Sequence, residues 1–386
     1  MWAVNIIGGS IAGFALAKHL AEDGWEVRVI EEHERIGYPE HCTGLISDTG
    51  VKRARIPWEE VAMNEIYGAQ IFSNSGYQLK VERRDPVAYV VSRPGLDNVY
   101  ARDAKKAGAE IRTGLRLIDA KQPTLFLKHS TGRGEVLKGK YLVGADGPTS
   151  MVRSLAGMKA PKDAYFVQGV QGRAKGSFDK RFVQLHFGSS FAKGFFAWVV
   201  PESPTSAVIG TAVPLGENIS KSFDALLAKF DLKQSDLTGK NGGLIPVGPP
   251  MPQVSNGNAL LLGDAAFQVK SSTGGGIINS CVAAQLAAKV IAGNHSGHLK
   301  SLAEYDKLCR EHLNPDLHLH WRVHKFLKAL TDAQFDDLIQ KANKSKAGEF
   351  LSRHGDMDRP TKFWGKISKG PQFWRFAPEL VKFALT

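Results

Sequence analysis

The chain has 386 residues, 43% of them hydrophobic, which exceeds one ordinary core and points to a globular protein of two or three lobes. Lys and Arg outnumber Asp and Glu by 50 to 38, and residues 321–386 alone hold 13 basic against 7 acidic side chains; such a surface suits anionic lipid headgroups or an acidic protein, while no zinc-finger or RRM signature supports a nucleic-acid partner. Three distant cysteines without a C-x-x-C pair exclude a disulfide framework and leave a cluster or zinc site without ligands, and no apolar run reaches the roughly 18 residues of a membrane span.

The first elements are the most telling. Residues 4–32 read as an apolar strand (Val4, Ile6, Ile7), a turn Gly8-Gly9-Ser10-Ile11-Ala12-Gly13, a helix stopped by Gly24, and a second strand ending in Glu31 and Glu32. This is a dinucleotide fingerprint in its confirming context. Gly8 permits the tight turn, Gly13 allows close helix–strand packing, and the helix N-terminus offers free N–H groups to a pyrophosphate. Glu31 stands twenty-three positions past Gly8, about where a ribose-binding acid belongs. Ser10 replaces the middle glycine, a weakening but not a loss. Because the fingerprint begins at residue 4, no signal peptide is expected, and a cytoplasmic location follows, with peripheral contact at the inner face of the membrane left open.

Further along, residues 69–87 predict a hairpin, and Ser92-Arg93-Pro94-Gly95-Leu96-Asp97 opens a helix. Residues 141–153 place a strand before Asp146-Gly147 and a helix start. Residues 159–254 are strand-rich (FVQGVQGRA, RFVQLHFG, FFAWVVP, SAVIGTAV), with FFAWVVP expected to be a strand apolar on both faces and ended by Pro201. Residues 259–277 repeat the earlier logic: a strand, Gly263-Asp264, then Gly274-Gly275-Gly276-Ile277 opening an Ala-rich helix. Cys281 and Cys309 sit in helical patterns as buried filler. His318, His320 and His324 lack metal-ligand spacing, so no metal is expected. The tail, 311–386, reads as basic and helical, with Phe363, Trp364, Phe373, Trp374 and Phe376 serving either packing or a bilayer surface.

The fingerprint, the Asp-Gly pair and the Gly-Asp pair, in that order, resemble the signatures of FAD-dependent enzymes built like aromatic hydroxylases. GYPEHCTGLIS (37–47), QVKSSTGGGI (268–277), FFAWVVP with Gly210, and the tail GDMDRP are similar to geranylgeranyl reductases, notably those of archaeal lipid synthesis. The resemblance implies FAD as cofactor and a contact set of Gly8, Ser10, Ala12, Gly13, Glu31, Glu32, Cys42, Thr43, Leu45, Arg93, Leu117, Asp146, Gly147, Asp264, Gly275, Gly276 and Ile277. Asp264 matches the aspartate that binds a ribitol or ribose oxygen, and Cys42 lies in the loop that relatives lay against the flavin ring. A helix-start salt bridge is the plainer reading of Arg93.

The implied architecture is an α/β, Rossmann-like FAD domain (1–68, 88–158 and 255–310) interrupted by a mostly antiparallel sheet for substrate (69–87 and 159–254), followed by a C-terminal helical segment (311–386). The implied activity is saturation of isoprenoid C=C bonds, with Phe196, Trp198 and Pro201 lining a greasy tunnel and Cys42 and Trp198 as catalytic candidates. Plain core packing is the competing reading of FFAWVVP. No second fingerprint holds a nicotinamide, so electrons come from transient NAD(P)H or an acidic donor such as ferredoxin. A monooxygenase on the same scaffold and a flavoprotein feeding quinone are the alternatives.

Overall fold

The computed structural model describes residues 4–362, so the aromatic residues expected at 363–376 lie outside the described residues. Strand Val4–Ile7 runs through the middle of a six-stranded sheet. Tyr141–Gly144 and Val27–Ile30 flank it in parallel, Ala259–Leu261 and Glu110–Arg112 lie beyond them, and Ser255–Asn256 closes one edge antiparallel. Every residue of the sequences VNII, VRVI, YLVG and ALL is buried, as expected of parallel strands covered on both faces.

Helices Ile11–Glu22, Arg93–Ala107 and Ile277–His295 pack side by side with the first in the middle. A small antiparallel sheet (Leu115–Lys121, Thr124–His129, Gly134–Lys138) adds Leu115, Leu117, Leu125 and Leu127 to the same core. Helix Ile277–His295 has the length and the mean hydropathy, 1.2, of a membrane span, although polar residues interrupt its apolar run. It packs against helices Ile11–Glu22 and Ala303–His312, with 61% of its most apolar window buried inside the protein.

The second large sheet has seven strands, in the order Leu237–Val247, Tyr165–Lys175, Ser206–Pro214, Ala197–Ser203, Phe182–His186, Gly68–Phe72 and Gln78–Glu82. All its pairings are antiparallel except Phe182–His186 with Gly68–Phe72. Along the strand from Ala197, side chains alternate between two environments. Ala197 and Val199 face helix Ile219–Ala228 through Phe223, Leu226 and Leu227, whereas Trp198 and Val200 point to the other side. The strand does not stop at Pro201 as the sequence suggests. It runs to Ser203, and a bulge between Pro201 and Ser203 absorbs the missing N–H. Phe195 and Phe196 precede the strand and stack on each other at 4.5 Å. A three-stranded sheet (Leu45–Ser47, Ala88–Val91, Ala62–Ile66) stands beside these layers, and helices from Ala303 to His354 complete the described chain.

Candidate flavin site and its apolar wall

The turn after the first strand is built by two close approaches. Gly8 has φ +108°, and a Cβ there would lie 2.1 Å from the Ala145 carbonyl oxygen. A Cβ on Gly13 would lie 2.1 Å from the Gly8 oxygen, so no side chain fits between helix and strand. The same contacts bring the Asp146-Gly147 turn beside the fingerprint. Ser10 is the N-cap of helix Ile11–Glu22 in extended backbone, and its hydroxyl makes no capping bond; Asp97 takes the Ile11 N–H, and the N–H groups that follow it in the first turn are left uncapped. The Glu31 carboxylate accepts the Gly9 N–H through Oε2 at 2.6 Å, while its Oε1 accepts the His33 N–H at 2.8 Å and lies 2.6 Å from His33 Nδ1; Oε2 retains a lone pair for a ribose hydroxyl. Glu32 is exposed, and Leu117 is buried in the core, two residues past Leu115, whose N–H donates to the Glu31 carbonyl at 2.9 Å.

Asp264 sits in the turn Gly263–Ala266, placed against the fingerprint because a Cβ on Gly263 would stand 3.3 Å from that of Ala12. Burial pushes the Asp264 carboxyl up to about 6, partly offset by the Arg93 charge. Among the described residues no donor reaches this carboxylate, which makes it available to a hydroxyl of a ligand. Gln268 fixes the turn: its side-chain oxygen accepts the Gly263 N–H at 2.8 Å, and its amide donates to the Tyr305 hydroxyl at 3.1 Å. Gly276 precedes helix Ile277–His295 without a side-chain cap, so a second set of free N–H groups points toward the same place.

Asp146 behaves differently from Asp264. Its carboxylate accepts the Ser150 hydroxyl at 2.5 Å and the Val152 N–H at 3.0 Å, capping the short helix Met151–Leu155. Burial raises its pKa and these bonds oppose the rise. The turn's contribution to a ligand is therefore its backbone and Gly147. Arg93 makes the helix-start salt bridge that is the plainer reading of it. Its guanidinium donates to Asp97 at 3.1 and 3.3 Å, the helix-start pair, and also faces Cys42 and Asp264. Burial opposes its charge, yet Asp97 and Cys42 hold its pKa above the ordinary arginine value.

Cys42 is half-buried in the loop before strand Leu45–Ser47, where its sulfur accepts the Gly44 N–H at 3.4 Å; Thr43 is half-buried beside it. That loop lies against strand Leu237–Val247 through His41, whose Nδ1 is 2.6 Å from the Gly242 oxygen. Leu45 and Trp198 share one apolar cluster, and Trp198 joins it to a second containing Phe195, Phe196, Ala212, Val247 and Ile245. The glycine loop closes the ring, since a Cβ on Gly274 would be 3.4 Å from Ile245 and 3.8 Å from Phe195. Pro201 is buried on the same strand three residues past Trp198, which by alternation puts it on the opposite face, with Ala197 and Val199. The Cys42 loop, the glycine loop and the Trp198 face thus enclose one apolar wall, with Asp264, Arg93 and two helix N-termini at its polar end.

Three contributors lack any sequence role. Arg153 bridges the two carboxylate turns, donating to the Ala265 carbonyl at 2.9 Å and the Pro148 carbonyl at 2.8 Å. Lys270 lies under the glycine loop, its Cε 2.9 Å from where a Gly275 Cβ would be, and its ammonium pairs with Asp358 at 2.7 Å. Asp358 also accepts the Ser47 hydroxyl. The Cys42 segment, the glycine loop and the GDMDRP tail therefore converge on one buried ion pair. Each segment is visible in the sequence, but their meeting has no local signature.

This fold and site define a flavoprotein oxidoreductase scaffold: residues 1–171 match the FAD binding domain family. The residues present fit that cofactor, through the unused Asp264 carboxylate and the paired helix N-termini. The chain is 29% identical over 369 residues, 90% of each sequence, to digeranylgeranylglycerophospholipid reductase of Methanocaldococcus jannaschii. It is 28% identical to digeranylgeranylglycerophospholipid reductase 1 of Methanothermobacter thermautotrophicus, covering 87% of this chain and 89% of the relative. A geranylgeranyl bacteriochlorophyll reductase-like protein of Thermoplasma acidophilum has the same fold, with TM-score 0.84 and 21% identity over 98% of this chain and 99% of its own.

Proposed function

We propose that the protein is an FAD-dependent reductase that saturates C=C bonds of geranylgeranyl chains in archaeal-type membrane ether lipids. The observation that carries this reading is the apolar wall joining Leu45, Trp198, Phe196 and Ile245 next to the cofactor residues. A polyprenyl chain is recognised by burial alone, each methylene contributing about 0.8 kcal/mol, and it needs no polar partner along its length. In this arrangement Glu31, Asp264, Arg93 and the helix N-termini at Ile11 and Ile277 hold the cofactor, and the segments 69–87 and 159–254 form the substrate sheet. Bound FAD, once reduced, supplies hydrogen with its electron pair to one alkene carbon. The aromatic rings of Trp198 and Phe196, edge to face with centroids 6.0 Å apart, favour partial positive charge on the other carbon through their negative quadrupoles. Cys42 borders the same space.

The electron donor in this reading is NAD(P)H or an acidic ferredoxin, the latter steered by the surplus of positive charge. The basic surface also suits peripheral contact with an anionic membrane. The test is anaerobic incubation of the reduced, FAD-loaded protein with digeranylgeranylglyceryl phospholipid, followed by mass spectrometry. Addition of two mass units per double bond is expected, and a lipid of unchanged mass rejects the reading. With ferredoxin as donor the rate should fall as salt rises; a rate indifferent to salt removes the acidic protein donor.

A further inference from the structure

Where the apolar wall meets helix Asn314–Lys328 through Trp321, Tyr165 begins the strand that pairs with Leu237–Val247, opposite Val247 itself. Its ring belongs to the cluster of Phe195, Phe196, Trp198 and Ile245, of which Phe195 and Ile245 meet the glycine loop. Its hydroxyl is hydrogen-bonded to Nε2 of His324, which is 4% exposed. The imidazole is fixed on its other sides by Trp321, whose ring stacks at 5.9 Å with the planes 16° apart, and by Phe195 at 5.8 Å. Outward of this pair, Lys328 places its ammonium 4.1 Å from the centre of the Tyr165 ring, and its own backbone is exposed on the surface. A phenol and an imidazole bonded inside an otherwise apolar cluster have no structural need that two hydrophobic residues would not meet.

We infer that Tyr165 is the proton donor to the alkene, with His324 positioning its hydroxyl and restoring its proton. This rests on the prenyl-reductase reading. In the step, the Tyr165 O–H bond breaks and a new C–H bond forms at one alkene carbon. The other carbon receives the hydrogen and electron pair that the proposed activity supplies, so the alkene is reduced by two electrons. The tyrosine oxygen then takes the Nε2 proton of His324 as Nδ1 of the same ring accepts one from water, so the imidazole is neutral before and after and returns to its first tautomer by exchange with water. Burial keeps the pair ready for this. It raises the Tyr165 pKa, so the phenol stays protonated, and together with Lys328 it lowers His324 to about 4, so the imidazole stays neutral.

The experiment compares the parent, Tyr165→Phe and His324→Gln, all loaded with FAD. Flavin spectra and anaerobic reduction should match across the three, which certifies folding. Reoxidation by digeranylgeranylglyceryl phosphate should slow by about 10²- to 10⁴-fold in Tyr165→Phe, the usual contribution of a general acid, and by less in His324→Gln. Contact is read separately. With 13Cζ-tyrosine labelling of the oxidised protein, the resonance missing from Tyr165→Phe should shift when the saturated diphytanylglyceryl phosphate binds. Tyr165→Phe reoxidising at the parent rate, or a Tyr165 resonance that ignores the bound lipid, overturns the inference while leaving the reductase reading intact. A parent inert toward the alkene overturns both.

Discussion

The Trp198 indole owes its position to the residue facing it across the sheet. A Cβ on Gly210 would lie 2.5 Å from Cε2 and Cζ2 of Trp198, so the ring lies flat over bare backbone, and its Nε1–H donates to Gln171 at 3.2 Å. Gly210→Ala should therefore turn the indole away at a cost of about 1–3 kcal/mol, the range for overpacking a tight site. A lower urea midpoint and a changed near-UV circular dichroism band are expected, and an unchanged spectrum would show that Gly210 does not set the ring. At this scale the sequence is readable where partners are neighbours in the chain. The run from Gly8 to Glu31 is one continuous βαβ unit, and its spacing carries its geometry. Asp146 is less legible, because a carboxylate followed by Gly-Pro-Thr-Ser signals a helix cap as well as a ligand, and Ser150 and Val152 take it for the cap.

Between elements, the Lys270–Asp358 pair is the main tie, with side-chain exposures of 11% and 1%. Burial opposes the Asp358 charge, but Lys270 and Ser47 hold its pKa below the usual aspartate value. Asp358→Asn would leave the ammonium of Lys270 buried without its counter-charge, and a loss of about 3–5 kcal/mol is expected from urea denaturation. The double variant Lys270→Met with Asp358→Leu should recover most of it, since both charges are then gone; a double variant as unstable as the single one would show that the charge pair is not the cause. The sequence presents Lys270 and Asp358 in two separate motifs, yet their pairing spans eighty-eight positions and obeys no periodicity. The Pro201 bulge escapes for a related reason: a proline in an apolar run reads as a stop, and only the neighbouring strand decides whether its missing N–H is tolerated.

Taken whole, the molecule keeps three histidines neutral in its interior. Burial lowers His186 to about 4, His320 to about 3 and His324 to about 4, with nearby lysines adding to each shift. The unfolded chain binds a proton at each near pH 6.5, whereas the folded chain waits until well below pH 5. Stability therefore rises with pH between about 4 and 6.5, each histidine adding up to about 1.4 kcal/mol per pH unit. His186→Phe, which keeps the ring stacked on Phe72, should shrink the difference in thermal midpoint between pH 5 and pH 7 by roughly a third of the histidine share. An undiminished difference would place the acid sensitivity elsewhere. The sheet order is only partly legible at this scale. Parallel strands announce themselves by uninterrupted burial, but that the hairpin Gly68–Glu82 extends the distant seven-stranded sheet depends on a parallel pairing with Phe182–His186 that no local pattern encodes.

Asp358 stands eighty-eight positions past Lys270, yet it braces the loop that starts helix Ile277–His295. During synthesis the fingerprint half leaves the ribosome first and can collapse early. The floor beneath Gly275 is finished only once residue 358 is in place as well. A chain interrupted before that residue would keep its nucleotide fingerprint and leave the flavin loop unbraced.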